Sequence, residues 1–296
     1  MHNNITIIYV IYKSGDIFFE NIKRLNNFKK IIIDNDPNSD LVDKIKKIDN
    51  SVDYTRLNKN IGMAKAANLA FDKVKTEFFL YLTADTIIDE HNIENLLKIF
   101  LKYESVGLSS PVHLGSDKTY LGNYSCHPIN RFLNRNKTEK KCFKSLSKVL
   151  PSGDFSVNTV WGAPILLKTS LIKKIGFFDN NFFMYFEDVD LCDRIKELGL
   201  EIIETPSSFC YHYKGSSNVN SFKSSYITIS SFKFSEIYYF SKYGFKYRLR
   251  IYFHSLDYFF RIFLNIFLLN KKKIFTNIFR LIGVIRFIFY KKKSRF

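Results

Sequence analysis

The sequence is poor in features that would settle its class at a glance, and each gap excludes something. Its four cysteines, Cys126, Cys142, Cys192 and Cys210, form no Cys-x-x-Cys pair and no metal-ligand spacing. That argues against a zinc site or a disulfide framework and fits reduced thiols in a cytoplasmic protein. No window reaches the roughly 18 uncharged apolar residues of a spanning helix. In the apolar part of the tail the longest uncharged stretch, 262–270, is half that length. The apolar run 5–12 has no basic segment ahead of it and is too short for a signal segment with its cleavage site, so it reads as a first strand. Acidic residues are scarce as well: 28 Asp and Glu face 45 Lys and Arg, for a net charge of +17. The deficit is local. Residues 221–296 hold 16 Lys and Arg against Glu236 and Asp257, so +14 of the charge lies there and the first 220 residues are nearly neutral. A basic tail on a near-neutral body implies a separate, anionic partner for the tail.

Apolar material is plentiful. Hydrophobic residues make up 46% of the chain, including 31 Phe and 18 Tyr, enough to bury a core and to exclude global disorder. Up to about residue 110, short runs rich in Ile, Val, Tyr and Phe (5–11, 30–33, 52–56, 78–82, 106–109) alternate with helical patterns at 17–28, 41–48, 63–74 and 92–103. Alternation at this pace predicts right-handed βαβ units and an α/β fold with a mostly parallel, Rossmann-like sheet flanked by helices. Such sheets bind ligands at the carboxyl ends of their strands. Residues 111–157 are polar and weakly patterned, with His113, Tyr120, Tyr124 and a basic stretch over 131–148, and read as a long insertion that helps bind a ligand. Regularity returns with a strand over 159–167, a helix at 170–175 capped by Gly176, a helix at 188–198 ended by Gly199, and strands at 201–204 and 209–213.

Polar residues follow the predicted strands directly. Asp34, after Ile31-Ile32-Ile33, can accept the N3–H of uracil or thymine, or it can serve the turn that Asp-Asn-Asp-Pro-Asn-Ser-Asp favours. Asn60 and Gly62 lead into a helix bearing Lys65 and Asn68. A glycine there lets backbone approach a phosphate at a helix start, and it is also common punctuation. Thr83-Ala84-Asp85 closes the fourth strand. A single strand-end carboxylate suits Mg²⁺ or Mn²⁺ beside a pyrophosphate, or is a loop residue. The most specific segment is Gly176-Phe177-Phe178-Asp179 followed by Phe182-Phe183-Met184-Tyr185-Phe186-Glu187-Asp188-Val189-Asp190-Leu191. Three acids after so apolar a run are not a packing choice. Helix-dipole charge explains one or two of them, and a carboxylate beside an aromatic wall can act as a general base. His212, near a strand end, can ligate a metal or be a structural histidine.

In order and spacing, residues 10–14, Ile33-Asp34-Asn35, Asn60-Ile61-Gly62 with Asn68, residues 82–86, Trp161-Gly162-Ala163, and 187–191 with His212 and Ser216-Ser217 resemble the family 2 glycosyltransferases of the GT-A fold. The likeness is greatest to the branch that contains bacterial rhamnosyltransferases of surface polysaccharide assembly, and it covers about residues 5–217. It implies an inverting transferase that moves a sugar from a dTDP- or UDP-linked donor (L-rhamnose from dTDP-rhamnose first, a hexose from a UDP-sugar otherwise) to a glycan or polyprenyl-linked acceptor. Asp34 would hold the pyrimidine with Tyr12 near the base, and Asn60, Gly62, Lys65, Asn68 and Thr83 would line the nucleotide-sugar site. Asp85 would match the last acid of the family's Asp-x-Asp-like motif. Thr83 stands where Asp or Asn is usual, so Mg²⁺ or Mn²⁺ would rest on Asp85 and His212. Asp188 matches the catalytic base, with Glu187 and Asp190 orienting it or the substrate. Trp161 replaces a commonly smaller residue and would shape the sugar or acceptor pocket. The resemblance divides the chain into a catalytic domain over 1–220, with a nucleotide-sugar half to about 110 and an acceptor half beyond, and a basic aromatic helical region over 221–296.

In that region His254, Asp257, Arg261 and Asn265 fall on one helical stripe, and Lys273, Asn277 and Arg280 on another, with Phe, Ile and Leu filling the rest. Clusters 271–273 and 291–293 with Arg295 flank the second segment. Basic amphipathic helices of this kind lie on an anionic membrane surface, which predicts a peripheral protein on the inner face of the cell membrane. The same faces can instead pack on the catalytic domain or form an oligomer. Two other classes compete: a nucleic-acid-binding protein using the tail, opposed by the near-neutral first 220 residues and the acid-rich segment, and a noncatalytic assembly partner of the same fold.

Overall fold

A computed structural model describes residues 2–115, 117–121, 150–213, 221–244 and 247–293. Most of the predicted insertion, with Tyr124, Cys126, the 131–148 basic stretch and Cys142, lies outside the described residues, as do Ser216, Ser217 and Arg295. Two compact units emerge: Met1–Asn180 with Glu187–Ser217, and Asn181–Phe186 with Asn218–Phe296.

In the first unit, β1 (Ile5–Ile11) is buried along its whole length, as a central strand covered on both faces must be. β2 (Lys29–Asp34), β3 (Asp53–Arg56) and β4 (Phe78–Thr83) join it in parallel, separated by α1 (Asp16–Arg24), α2 (Val42–Ile48) and α3 (Met63–Phe71). The register pairs Ile11 with Asp34, Asp34 with Arg56, and Val10 with Thr83, so the polar residues that end these strands emerge along one edge of the sheet. Tyr9, Phe18, Ile22, Ile32 and Leu80 fill the core behind that edge.

Beyond β4 the sheet becomes mixed. The remaining elements are β5 (Thr86–Ile87), α4 (Glu90–Lys102), β6 (Val106–Leu114), β7 (Phe155–Ser156), β8 (Ile165–Lys168), α5 (Thr169–Ile175), α6 (Glu187–Glu197) and β9 (Glu201–His212). The strand order is β3-β2-β1-β4-β8-β6-β9-β5, with β7 on β9. The short β8 runs antiparallel to both β4 and β6. Two sequence readings change here. The strand expected over 159–167 starts only at Ile165, because Gly162 and Pro164 interrupt the ladder ahead of it. The strands expected at 201–204 and 209–213 are one, β9. Its register against β6 slips between Thr205 and Phe209, and Pro206, which has no N–H to donate, sits in that irregularity. Gly176, at φ 79°, caps α5 as its position suggested. Cys192 and Cys210 are free and buried.

The second unit consists of α7 (Phe222–Lys242), α8 (Tyr247–Phe267) and α9 (Lys271–Lys293), together with 181–186. The aromatic run that precedes the acids packs within this unit. Phe182 meets Tyr238 edge-on at 5.0 Å, Phe186 lies 5.4 Å from Tyr239, and Ser235 donates to the Met184 carbonyl at 2.9 Å. Of the predicted polar stripe of α8, Asn265 is buried, and His254, Asp257 and Arg261, joined by Tyr258, line a cavity of about 570 Å³ with Lys233, Glu236 and Arg280. Helices α7 and α9 approach closely at Gly283, where a Cβ would stand 2.5 Å from the Ser230 carbonyl oxygen and 2.9 Å from Lys233 Cβ. Backbone cannot yield as a flexible side chain can, so Gly283→Ala is expected to destabilise this unit by about 1–3 kcal/mol in denaturant unfolding. An unchanged midpoint would mean that the helices are free to move apart.

Candidate active site

Asp85 and His212 meet because of strand pairing. β5 pairs antiparallel with β9 so that Thr86 faces His212, and the Tyr213 N–H donates to the Asp85 carbonyl at 2.9 Å. Asp85 Oδ2 then lies 3.4 Å from His212 Nε2, both side chains about one-fifth exposed. Burial pushes the Asp85 carboxyl up, but the hydrogen bond and charge of His212, with help from Thr83, outweigh it and hold the carboxyl below its ordinary range. His212 Nδ1 is buried with no hydrogen-bond partner among the described residues. Those residues contain no cluster of three or more His, Cys, Asp or Glu placed around a metal. An ionised carboxylate beside a histidine nitrogen nevertheless fits a hard divalent cation that takes its other ligands from water and phosphate oxygens. Two ligands each about 2.1 Å from one octahedral ion stand roughly 3 Å apart, close to the separation seen.

Asp188 sits in the first turn of α6. Its carboxylate accepts from the Val189 N–H at 2.9 Å and from the Gly162 N–H. A Cβ on Gly162 would stand 3.4 Å from Asp188 Oδ2, so that segment lies against the carboxylate. Burial raises the affinity of Asp188 for its proton, and burial together with the Asp188 charge does the same for Glu187. Both carboxyls are partly exposed by area, yet Glu187 Oε2 is itself buried and has no hydrogen-bond partner. The upward direction follows from that environment. The pair therefore gives up its protons at higher pH than free carboxyls do, as a coupled set.

One loop links the two groups. Trp161 packs 5.7 Å from the His212 ring and 4.8 Å from His113, while its neighbour Gly162 holds Asp188. His113 is fully buried and its Nε2 lies 2.9 Å from the Ala163 carbonyl, which anchors the loop. Tyr81, on β4, is buried within the field of Glu187, Asp188 and Asp85, and burial plus these charges push its phenol far up. The sequence named His113 only within a weakly patterned stretch and gave it no role, and Tyr81 reads there as one more apolar strand residue.

The residues expected to hold the nucleotide divide between open and engaged. Asp34 is fully buried at the end of β2; its Oδ1 accepts from the Asp36 N–H at 3.0 Å and its Oδ2 from the Tyr54 hydroxyl at 2.8 Å. Tyr54 was not singled out from the sequence. Asn60 Oδ1 accepts from the Gly62 N–H at 2.9 Å, and Asn35 ties the same loop to β2 through the Ile61 N–H and the Gly62 carbonyl. Gly62 takes φ 90°, a left-handed value that strains other residues. Lys65 is exposed and Tyr12 is half-buried at the end of β1. Asn68, expected beside Lys65 at the ligand, instead clamps the segment ahead of the acids: it donates to the Phe178 carbonyl at 2.7 Å and to Asn180 Oδ1 at 2.8 Å, and accepts from the Phe178 N–H. Asp190 changes role too. It is fully buried and accepts from Arg194 Nε at 2.9 Å, and Arg194 also donates to the carbonyls of Ile175, Gly176 and Phe177. Asp190 thus fixes α6 against the Gly176 turn, which corrects the expectation that it orients substrate.

A parallel half that presents its strand ends to one edge, continued by an antiparallel β8 and a helix opening on paired acids, is a GT-A-type arrangement. The crystal structure of GalNAc-T7 with UDP, GalNAc and Mn²⁺ superposes with a TM-score of 0.51 at 14% identity, over 70% of this chain and 42% of that one. Residues 11–157 match the family described as Glycosyl transferase family 2, and the chain belongs to that family. Among similar proteins, a poly-beta-1,6-N-acetyl-D-glucosamine synthase of Staphylococcus aureus is 26% identical over 216 residues, 70% of this chain and 49% of that protein. An N-acetylglucosaminyl-diphospho-decaprenol L-rhamnosyltransferase of Mycobacterium tuberculosis is 39% identical over 56 residues, 19% of this chain and 18% of that one. The matches thus span half or less of these curated relatives.

Proposed function

We propose that this chain transfers a glycosyl group from a pyrimidine nucleoside diphosphate sugar to a hydroxyl of a glycan or lipid-linked glycan, with inversion at the anomeric carbon. The observation that carries this reading is Asp188: a half-buried carboxylate of raised proton affinity, fixed by two backbone N–H groups, in the first turn of α6. Such a carboxylate accepts a proton from an acceptor hydroxyl as that oxygen attacks, and its poor solvation makes it a stronger base than a free aspartate. Burial and the Asp188 charge raise the proton affinity of Glu187 as well, so the two acids exchange protons as a coupled pair. Asp85 and His212 would hold Mg²⁺ or Mn²⁺, and a bound cation would offset the charge of a leaving diphosphate. The membership in a family of transferases and the match to a rhamnosyltransferase favour L-rhamnose from dTDP-rhamnose as the transferred sugar, with a hexose from a UDP-sugar as the second candidate. The similar poly-beta-1,6-N-acetyl-D-glucosamine synthase supports a role in building a bacterial polysaccharide.

Thermal shift with UDP-, dTDP- and GDP-sugars, each with and without Mn²⁺, tests the donor. A ligand at 100 times its Kd stabilises by about 2.7 kcal/mol, so a pyrimidine donor is expected to raise the melting temperature by several degrees and a GDP-sugar to leave it unchanged. In His212→Ala the added effect of Mn²⁺ should vanish. Stabilisation by none of the donors would refute the reading.

A further inference from the structure

Helix α8 is inside out for a water-facing helix. Its polar side chains lie on the cavity side: Tyr258 and Asn265 are 6% and 7% exposed, His254 lines the cavity, and the paired Asp257 and Arg261 stand about half-exposed at its rim. Its large apolar side chains turn outward. Phe253, Leu256, Phe260, Phe263 and Phe267 recur at helical spacing and are 60–86% exposed. At 1.5 Å per residue they form a stripe about 21 Å long. The stripe runs on into Leu268 and Leu269, 61% and 86% exposed, and then into the exposed Lys271, Lys272 and Lys273. A contiguous apolar face of this size marks a contact surface.

We infer that the outer face of α8, with the Leu268–Leu269 turn and the 271–273 lysines, docks on an anionic lipid bilayer. Charge selects this occupant. Residues 247–293 contain eleven Lys and Arg and a single acid, Asp257, which is paired with Arg261 at 2.7 Å. A two-fold contact between copies would set these cations against their own images, whereas anionic headgroups complement them. No helix among the described residues is long and apolar enough to cross a membrane. The geometry therefore points to α8 lying in the plane of the interface, its aromatic side chains among the upper acyl carbons and its lysines at headgroup level. The anionic cytoplasmic leaflet has this chemistry.

Co-sedimentation of the full chain with vesicles tests the surface, and it needs neither donor nor acceptor, so it stands apart from glycosyl transfer. Strong binding is expected to vesicles of phosphatidylcholine with phosphatidylglycerol, and weak binding to phosphatidylcholine alone. The triple variant Phe260→Ser, Phe263→Ser, Phe267→Ser alters only exposed side chains, and should lose at least ten-fold in affinity while its circular dichroism stays unchanged. Lys271→Gln, Lys272→Gln, Lys273→Gln should lose on the order of a hundred-fold on anionic vesicles, at about five-fold per cation. Binding unchanged in both variants would overturn the proposal. So would a failure to bind vesicles combined with a dimer that the Phe variant dissolves, which would assign the face to a second copy.

Discussion

Asp188→Asn is expected to lower the rate of transfer by about 10²- to 10⁴-fold, the usual contribution of a positioned general base, while the donor still binds. Asparagine keeps an oxygen that can accept from the Val189 and Gly162 N–H groups, so the loop and the start of α6 stay in place. What it loses is the capacity to take a proton. The same substitution should leave the protein no less stable at pH 8, and the sign follows from the direction of the shift. A carboxyl whose folded-state proton affinity is raised favours folding when protonated, and that contribution is lost as pH rises through its folded-state value. Above that pH the buried charge opposes folding, and a neutral amide removes it. In the wild-type enzyme the acidic limb of kcat/KM should correspondingly lie above the ordinary carboxylate range near 4, because the base is inactive until deprotonated. Full transfer by Asp188→Asn would remove the residue from the mechanism. An acidic limb at the ordinary carboxylate value would instead mean that the carboxylate is solvated during turnover.

The parallel half of the sheet was legible in the sequence because every part of it is local. Ile5–Ile11 is a strand by composition alone, and the register that lines up Asp34 and Thr83 follows from parallel pairing of equal apolar runs. The antiparallel part was harder to read. β8 is four residues long and takes its identity from neighbours distant in sequence, and Pro206 hid the continuity of β9 by looking like a break. The acids were found by their oddity, three charges after an aromatic run, but oddity does not assign roles. Nothing local distinguishes Asp188, held by backbone N–H groups, from Asp190, two residues on and turned toward Arg194. The difference is a helical rotation of about 200°, legible only once the partners of each face are known. The partners of the aromatic run were hidden for a related reason: hydrophobicity shows that Phe182 and Phe186 are covered, but not that Tyr238 and Tyr239 pack on them.

Asp190→Ala is accordingly expected to act on stability rather than on substrate. The carboxylate is fully buried and the Arg194 side chain largely so, at 18% exposure. Removing one member of such a pair leaves a poorly solvated charge behind, at a cost of about 3–5 kcal/mol. For a unit of this size, 2–4 °C per kcal/mol converts that loss to a fall in melting temperature of roughly 6–20 °C. The three carbonyls that Arg194 also engages, on Ile175, Gly176 and Phe177, retain some of the interaction, so the lower part of that range is the firmer expectation. Asp190→Asn, which keeps an acceptor for Arg194 Nε, should cost less than Asp190→Ala. The two roles considered for this residue separate cleanly in one experiment. If Asp190 orients the acceptor, the alanine variant keeps its melting temperature and raises KM. If it locks α6 to the Gly176 turn, the melting temperature falls, and the surviving folded fraction transfers with a KM close to wild type, since Asp188 remains held by Gly162 and Val189. A melting temperature within 2 °C of wild type would return Asp190 to the substrate.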